Sequence, residues 1–255
     1  MAAGEASWEV TEVSRGRGVH FAVAEVGRLL ADVARVVFDG HDEGGGRAAL
    51  RVANASLADG GDIRWSVSHN SGRDVDLVFF AVDGFGRPAH GEHLVRFGGD
   101  GVATGPEDVA GRLYFDTPRN WALVEALLGH PLVTVQWLFV SAPLEQMMLD
   151  HALRVGASAT MRERARRVMV QPRDAGAHDD HLHVRIACPA DDRPECIDGP
   201  GRTGLNRAAQ VDTLLRMYEH GSGAEKRYAR EILSLPDQGT NDDATLPAPV
   251  EGDRP

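Results

Sequence analysis

The spacing of apolar residues along the chain predicts helices and strands in mixed order. Apolar residues three and four apart predict an amphipathic helix over residues 21–38. Further helices are predicted over residues 120–128, 143–153, 160–170 and 208–218. Apolar or alternating runs predict strands over 75–82, 133–140 and 181–187, and residues 48–54 fit a short strand or a helical turn. Because no strict βαβ rhythm is present, we predict an α+β fold with a small, mainly antiparallel central sheet flanked by helices.

Polar and glycine-rich stretches separate these elements. Residues 40–46 break the first helix, and the glycine-rich residues 83–105 are predicted to form a long surface excursion. Thr117 followed by Pro118 predicts a helix start with a hydroxyl cap and a proline in the first position. We assign residues 1–20 to a polar lead-in, 21–235 to a single domain and 236–255 to a disordered acidic, proline-rich tail.

Charge and composition exclude several classes of protein. The 255-residue chain carries 27 Lys and Arg against 38 Asp and Glu, a formal charge of −11, which disfavours an extended phosphate-binding surface. No apolar run approaches the roughly 18–20 residues that cross a bilayer. The first residues lack the basic start and apolar segment of a secretory signal. We therefore expect no nucleic-acid partner and no membrane span.

Three histidines within six residues form the first candidate site. On a strand, His181 and His183 share one face, with Cα atoms roughly 6.5 Å apart, while Leu182 and Val184 face the core. One imidazole on that face can coordinate a metal ion while the other stands beside a bound water. The alternative is a polar strand face with incidental histidines; His178 lies just before it.

A second cluster contains His69, Asp74 and Asp76. The two carboxylates alternate with apolar residues and therefore share one strand face. His69 lies seven residues before Asp76, about 23 Å in an extended chain, and residues 70–72 (Asn-Ser-Gly) supply a bend that can fold it back. One histidine and one carboxylate from here, with one histidine from the first cluster, would leave a metal position open for water. The alternative is a solvated, acidic strand edge.

The two cysteines, Cys188 and Cys196, are close in sequence. Their spacing fits a short disulfide loop in an oxidising compartment, or two reduced and unconnected thiols. The pair lacks the Cys-x-x-Cys spacing of zinc ligands, which disfavours zinc ligation by the cysteines.

The two clusters together carry a resemblance to a known group of enzymes. His-x₆-Asp over 69–76 with His-x-His over 181–183 resembles the zinc peptidases grouped with lysostaphin, D-Ala-D-Ala carboxypeptidases and the hedgehog signalling domain. Within that group, the chain resembles the penicillin-insensitive murein endopeptidases over SHNSGRDVDL (68–77), FDTPRNWALV (115–124), VQWLFVS (135–141) and HDDHLHVR (178–185). The similarity runs from about residue 65 to residue 200.

The resemblance implies a set of roles for the site residues. One zinc ion is expected on the face of the sheet, held by His69, Asp76 and His183. His181 is expected to be the catalytic histidine, acting on the bound water or the developing oxyanion. His178 matches a further active-site histidine whose role is left open.

Other positions follow from the resemblance or depart from it. Cys188 and Cys196 fall where the family has a small disulfide loop. Ser66 stands where the family usually has a histidine, which puts substrate positioning or rate in doubt. Asp74 can orient a ligand from behind, or be a plain surface carboxylate. Family members are exported, so we expect a periplasmic protein, and an N-terminus that is trimmed or given a misplaced start codon.

The implied activity is that of a zinc-dependent murein endopeptidase. It would hydrolyse the D-alanyl–diaminopimelyl crosslink between the stem peptides of peptidoglycan, with Arg87, Arg119 and Trp137 as candidates for local recognition. One alternative is a D-Ala-D-Ala-type metallocarboxypeptidase, because Asp180 lies where such enzymes have an acidic base. Another is a non-catalytic, metal-stabilised wall-binding module whose site His178 closes. The oligomeric state is not predicted.

Overall fold

The computed structural model describes residues 8–39, 49–61, 63, 66, 68–91, 94–105, 112–172, 176–192, 196, 198, 215, 218–220, 226 and 230. The helices are α1 (Glu12–Gly16), α2 (Ala24–Asp39), α3 (Thr117–Gly129), α4 (Ala142–Arg154) and α5 (Ala159–Val168). The strands are β1 (Trp8–Val10), β2 (Leu50–Val52), β3 (Asp74–Val78), β4 (Ala81–Val82), β5 (Pro88–Ala89), β6 (Arg96–Phe97), β7 (Ala103–Thr104), β8 (Tyr114–Phe115), β9 (Val135–Phe139), β10 (Met169–Val170) and β11 (His181–Ile186).

A six-stranded mixed sheet forms the centre of the molecule, in the order β1-β2-β3-β11-β9-β10. The inner pairings β2–β3, β3–β11 and β11–β9 are antiparallel. The outermost pairings, β1–β2 and β9–β10, are parallel. The predicted α+β class is confirmed, and the sheet is antiparallel in its middle with parallel edges. Two further small sheets contain three strands (β5-β4-β8) and two strands (β6-β7).

The pleat of β3 and β11 separates apolar from polar side chains. His183 lies opposite Asp76 and Leu182 lies opposite Leu77, so like residues share a face. The apolar face joins α2, α3, α4 and α5 in one core, to which the two strands contribute Val75, Leu77, Leu182, Val184 and Ile186. The predicted core orientation of Leu182 and Val184 is confirmed, and the opposite face is left for the histidines and aspartates.

Helix α3 begins one residue earlier than the hydroxyl cap predicts. The cap is Asp116, whose carboxylate accepts a hydrogen bond from the Arg119 backbone N–H at 3.1 Å. Thr117 is the first helical residue and Pro118 follows it. The predicted Thr117 cap is therefore wrong, because a carboxylate in the preceding position accepts the free N–H and also favours the positive end of the helix.

The strand predicted over residues 75–82 is two strands that belong to different sheets. The side chain of Asn120, on α3, brackets Phe80: its Nδ2 donates to the Phe80 carbonyl at 2.8 Å and its Oδ1 accepts from the Phe80 N–H at 3.1 Å. Phe80 lies in the chain between β3 and β4, and these bonds pair its backbone groups in place of bonds to a neighbouring strand. The chain can turn there without leaving the buried backbone groups unpaired.

The surface excursion predicted over residues 83–105 is more ordered than expected. It contains β5, β6 and β7, and Phe97 from β6 is buried. The Phe97 ring packs edge-on against Phe79 and Phe115, with ring centroids 6.2 and 5.7 Å away. An aromatic cluster thus holds part of this segment to the core, which a count of glycines could not indicate.

Some sequence predictions concern the ends of the chain or residues outside the described ranges. Trp8–Val10, within the predicted lead-in, forms the edge strand beside β2. Residues 40–46 and 236–255 lie outside the described residues, as does most of the predicted helix over 208–218, where residues 215 and 218 are helical. None of the helices in the described ranges is long and apolar enough to span a membrane.

Candidate metal centre

Strands β3 and β11 bring the first two candidate ligands together. His183 and Asp76 are direct partners in the antiparallel register, and both are buried. Their facing atoms, His183 Nδ1 and Asp76 Oδ1, lie 3.1 Å apart. Adjacent positions on one face of a sheet are close by construction, so this half of the site follows directly from strand pairing.

A turn before β3 brings in the third candidate, His69. Gly72 adopts a φ of +76°, its N–H donates to Ser56 Oγ at 2.9 Å, and its carbonyl accepts from the Val23 N–H at 3.0 Å. The predicted bend is confirmed: His69 is buried, with its Nε2 at 3.2 Å from Asp76 Oδ1. The same nitrogen lies 3.2 Å from His183 Nδ1.

The three donor atoms form a triangle that fits a metal ion. Its edges are 3.1, 3.2 and 3.2 Å. A tetrahedral zinc ion with bonds of about 2.0–2.1 Å holds its ligands about 3.3 Å from one another. Asp76 Oδ1 is buried and accepts no hydrogen bond from the described residues, although it lies close to three imidazole nitrogens. His69, Asp76 and His183 together can therefore hold a divalent cation.

Asp74 supports this group from behind. The His183 Nε2–H donates to Asp74 Oδ1 at 2.8 Å, which leaves the lone pair of Nδ1 directed at the triangle. Burial would raise the pKa of Asp74, but the charge of Arg185 and the hydrogen bond from His183 outweigh it and lower the pKa. Asp74 is fully buried, so the alternative of a surface carboxylate is wrong.

Asn54 is a contributor that sequence reasoning missed. Its Nδ2 donates to Asp76 Oδ2 at 2.9 Å, so one carboxylate oxygen is held by the protein while the other faces the triangle. Asn54 lies two residues beyond the end of β2, and the backbone N–H of Asp76 donates to its carbonyl at 2.7 Å. A single asparagine after a short strand carries no sequence signal for this role, because the contact spans 22 residues.

His181 lies beside the triangle with more solvent access. Its Nε2 is 3.3 Å from Asp76 Oδ1, and its side chain is 17% exposed, compared with 4% for His183. Burial alone would lower the pKa of His181, but the charge of Asp76 and the hydrogen bond to Asp180 raise it to about 10. The interaction also acts on Asp76. Burial would raise the pKa of Asp76, but the charges of His181 and His69 outweigh burial and hold this pKa well below its ordinary value.

His178 lies on the outer side of the cluster. Its ring centroid is 5.0 Å from that of His181 and 5.7 Å from that of His183, and its Nδ1–H donates to the Gly176 carbonyl at 2.7 Å. Burial, followed by the charges of His181 and His183, lowers the pKa of His178 to about 4, so it stays neutral near pH 7. His178, His181 and His183 form a second group able to hold a cation, which shares His183 with the first.

The predicted disulfide between Cys188 and Cys196 is present. Asp198, just beyond this loop, accepts hydrogen bonds from the Cys188 N–H at 2.6 Å and from Arg73 Nη1 at 3.2 Å. Arg73 is buried directly before β3. The disulfide loop thus places a carboxylate against a buried guanidinium next to the acidic strand of the site.

The remaining candidates are distributed more widely. Trp137 lies opposite Arg185 on β9 and stacks near Phe139, which is opposite His183, so both rings share the face of the site. Arg119 is buried over the Phe80 ring, which indicates a packing role.

Two further positions have local partners. Arg87 is paired with Asp83 at 2.7 Å in an exposed turn. Ser66, where the resembling family has a histidine, lies with its Oγ 3.3 Å from the hydroxyl of Ser68.

Comparison with known protein families and with curated sequences adds no relative. No model of a known protein family matches the chain, and no curated protein is significantly similar to it in sequence. A proposal for its function therefore depends on the geometry of the site and on the motifs in the sequence.

Proposed function

We propose that the protein is a zinc-dependent murein endopeptidase, which hydrolyses the D-alanyl–diaminopimelyl crosslink between stem peptides of peptidoglycan. The observation that carries the proposal is the donor triangle of His69, Asp76 and His183 with the Nε2 of the more exposed His181 at 3.3 Å from its oxygen. A metal site next to a partly exposed base is typical of a hydrolase.

The residues of the triangle suit zinc. Two imidazole nitrogens and one carboxylate oxygen are ligands that zinc accepts, and three protein ligands are the number found in catalytic zinc sites. When bound in such a site, zinc acts as a Lewis acid on a carbonyl oxygen and makes water acidic enough to react near neutral pH. His183 and Asp76 are fixed for this role by Asp74 and Asn54, which hold the atoms that face away from the triangle.

His181 is the group that moves the proton in this proposal. In hydrolysis, the water oxygen bonds to the amide carbon and the carbon–nitrogen bond breaks. His181 Nε2 takes one proton from the water and returns it to the departing nitrogen, while the remaining proton leaves the new carboxyl group for the amine. Such proton transfer by a positioned imidazole contributes about 10²- to 10⁴-fold to a rate.

The choice of substrate depends on the sequence resemblance and on the surroundings of the site. Phe139 offers a partly exposed aromatic ring on the same face as His183, suited to pack against a peptide, and the buried Trp137 stacks near it. The chain is acidic and the cell wall anionic, so recognition must be local rather than by long-range attraction.

Two contacts weigh against the alternatives. The carboxylate of Asp180, the base expected of a carboxypeptidase, is bonded to His181 Nδ1 at 2.6 Å. His178, the residue expected to close a non-catalytic site, groups with His181 and His183 and not with His69 and Asp76. Both observations favour an endopeptidase in which His181 stands beside the metal ligands as the proton carrier. The disulfide is consistent with the periplasmic location that we propose with it.

Digestion of purified peptidoglycan tests the proposal. The wild type with zinc should convert crosslinked muropeptide dimers to monomers, and His181→Ala should slow this at least about 100-fold while keeping one zinc ion per chain. The reaction should stop with a chelator and continue with penicillin. Crosslinked dimers that stay intact with the zinc-loaded wild type would contradict the proposal; cleavage of linear pentapeptides alone would indicate a carboxypeptidase.

A further inference from the structure

The imidazole of His181 lies between two carboxylates. Its Nε2 faces Asp76 Oδ1 at 3.3 Å, on the side of the candidate metal ligands. Its Nδ1, on the opposite side of the ring, donates to Asp180 Oδ1 at 2.6 Å. Asp180 directly precedes β11, and its side chain is partly buried. Nε2 therefore faces the candidate metal ligands, while Nδ1 is hydrogen-bonded to Asp180.

The backbone before β11 is fixed by two separate elements. The carbonyl of His178 accepts from the Ser141 N–H at 2.9 Å, at the start of α4. The carbonyl of Asp179 accepts from the Phe97 N–H at 2.8 Å, on β6. Two main-chain bonds on consecutive residues leave little freedom for the next one, so Asp180 presents its carboxylate to His181 from an anchored position.

A hydrogen bond from Nδ1 has two consequences for an imidazole. It keeps the proton of the neutral ring on Nδ1, so that the lone pair for proton exchange is on Nε2. It also fixes the rotation of the ring, which keeps Nε2 directed at the site. Without an acceptor beside Nδ1, the ring can populate the other tautomer and turn away.

We propose that Asp180 is a positioning residue that holds His181 in the tautomer and orientation in which Nε2 serves the reaction. The proposal rests on the hydrolytic function proposed above, and assigns Asp180 a part in it that differs from the direct base of a carboxypeptidase. Asp180 acts through His181, to which its carboxylate is hydrogen-bonded at 2.6 Å.

The first test is spectroscopic and independent of activity. Long-range ¹H–¹⁵N correlation spectra of the zinc-loaded full chain, labelled at histidine, report which nitrogen of each ring carries the proton. At a pH at which the His181 ring of the zinc-loaded protein is neutral, its signals, assigned by their loss in His181→Ala, should show Nδ1 protonated and Nε2 unprotonated in the wild type. Asp180→Ala should produce a tautomer mixture. A wild-type His181 that is unprotonated at Nδ1 would overturn the proposal, whether or not the protein is a hydrolase.

The second test is kinetic, with matched variants. Asp180→Ala should lower kcat about 10- to 100-fold with KM and zinc content changed less than about twofold, because ring placement is lost and ligation is not. Asp180→Asn, which keeps an acceptor oxygen, should recover part of kcat. Asp179→Ala is the control, since the Asp179 side chain faces Arg96 at 3.9 Å. An unchanged kcat in Asp180→Ala, or a loss confined to KM or zinc content, would contradict the role.

The two proposals fail in different ways. If the zinc-loaded wild type shows no hydrolysis, the proposed function is wrong, and the spectra alone decide whether Asp180 sets the His181 tautomer. If the wild type hydrolyses crosslinks while the Asp180→Ala spectrum and kcat match the wild type, the function stands and the role of Asp180 is wrong.

Discussion

The two faces of the strand pair β3–β11 are both buried at Leu182 and His183, and they differ in what burial does. Leu182 is 2% exposed on one face and the neighbouring His183 is 3% exposed on the other. Removing an apolar side chain from water stabilises the fold, whereas removing an imidazole or a carboxylate costs free energy unless each polar atom finds a partner. The apolar face therefore stabilises the protein by itself, whereas the polar face contains buried atoms that have no hydrogen-bond partner among the described residues, Asp76 Oδ1 included.

The contrast also shows how the site is held. Asn54, Asp74 and Asp180 bind outward-facing atoms of Asp76, His183 and His181, in that order, and the atoms that point into the triangle lie close to one another. A buried group of this kind is satisfied when a cation occupies it. We therefore expect a bound metal ion to stabilise the polar face, as side-chain packing stabilises the apolar face.

Substitution of neighbouring residues on opposite faces should give the largest and most different effects. His183→Ala should weaken zinc binding more than about 100-fold, because a ligand is lost. Leu182→Ala should instead lower the free energy of unfolding of the metal-loaded protein by about 2–5 kcal/mol, through the cavity it leaves, and keep the three ligands. Zinc titration and denaturant unfolding of both variants separate the effects. Equal zinc affinity in His183→Ala and the wild type would contradict the ligand assignment.

Removal of the carboxylate behind His183 should weaken the metal site without deleting a ligand. Asp74→Asn should lower zinc affinity about 10- to 100-fold, because the Nε2–H of His183 loses its charged acceptor. Asp116→Asn, which alters the cap of α3, is a control that should leave the affinity unchanged. Competition titration with a chromogenic chelator measures both. An Asp74→Asn affinity equal to that of the wild type would show that this contact does not support the ligand.

Zinc binding should depend on pH because the metal competes with protons. Burial would lower the pKa of His183, but its hydrogen bond to Asp74 and its contacts with Asp76 raise it, which favours a proton on this ring in the metal-free site. Affinity should fall about tenfold per pH unit for each displaced proton as the pH is lowered. Calorimetry in buffers of different ionisation enthalpy counts the released protons. A zinc affinity that does not change between pH 6 and 8 would show that zinc displaces no proton from His183.

The same shifts set the stability of the metal-free protein. The pKa of His181 is raised from 6.5 to about 10, so its contribution to stability is complete below pH 6.5 and is lost as the pH rises toward 10. The chelated protein should therefore lose stability over that window. The zinc-loaded protein should lose less, because the cation replaces the charge that His181 provides to Asp76. Thermal unfolding between pH 6 and 10, with and without chelator, compares the two; parallel curves would contradict this account.

A buried charge with its own partner should give the smallest effect. Arg73 donates to Asp198, beside the disulfide loop, and also to the Ile186 carbonyl. Asp198→Asn should lower the free energy of unfolding by about 1–2 kcal/mol, with zinc affinity changed less than about threefold. The exposed Asp191→Asn is the control. A larger loss of zinc affinity in Asp198→Asn than in Asp74→Asn would show that the loop, rather than the polar face, controls the site.

Local patterns were enough to predict much of the site. Strand alternation places His181 with His183, and Asp74 with Asp76, because the pleat repeats every two residues whatever the rest of the fold does. The bend at Gly72 was predictable too, since few other residues adopt its φ of +76° without strain. The roles of the metal and of His181 stay predictions.

Contacts between distant segments could not be predicted in the same way. Asn120 holds the backbone of Phe80, just beyond β3, from a helix 40 residues away, and Asn54 holds Asp76 from the segment that follows β2. Asp180 meets His181 because the preceding backbone is bonded to β6 and α4, which hydrophobic spacing does not reveal. These residues are uncharged, or are one of several acids in a polar stretch, and their partners are defined only by the tertiary fold.

X-ray absorption spectroscopy of the zinc-titrated full chain tests the central claim most directly. We expect one tightly bound ion per chain, with two imidazole nitrogens, one carboxylate oxygen and at least one further light ligand from solvent at about 2.0–2.1 Å. His183→Ala should lose one nitrogen from this shell. Failure to bind a divalent ion tightly, or a shell of four protein ligands unchanged by loss of His183, would contradict an open metal site on the polar face of the sheet.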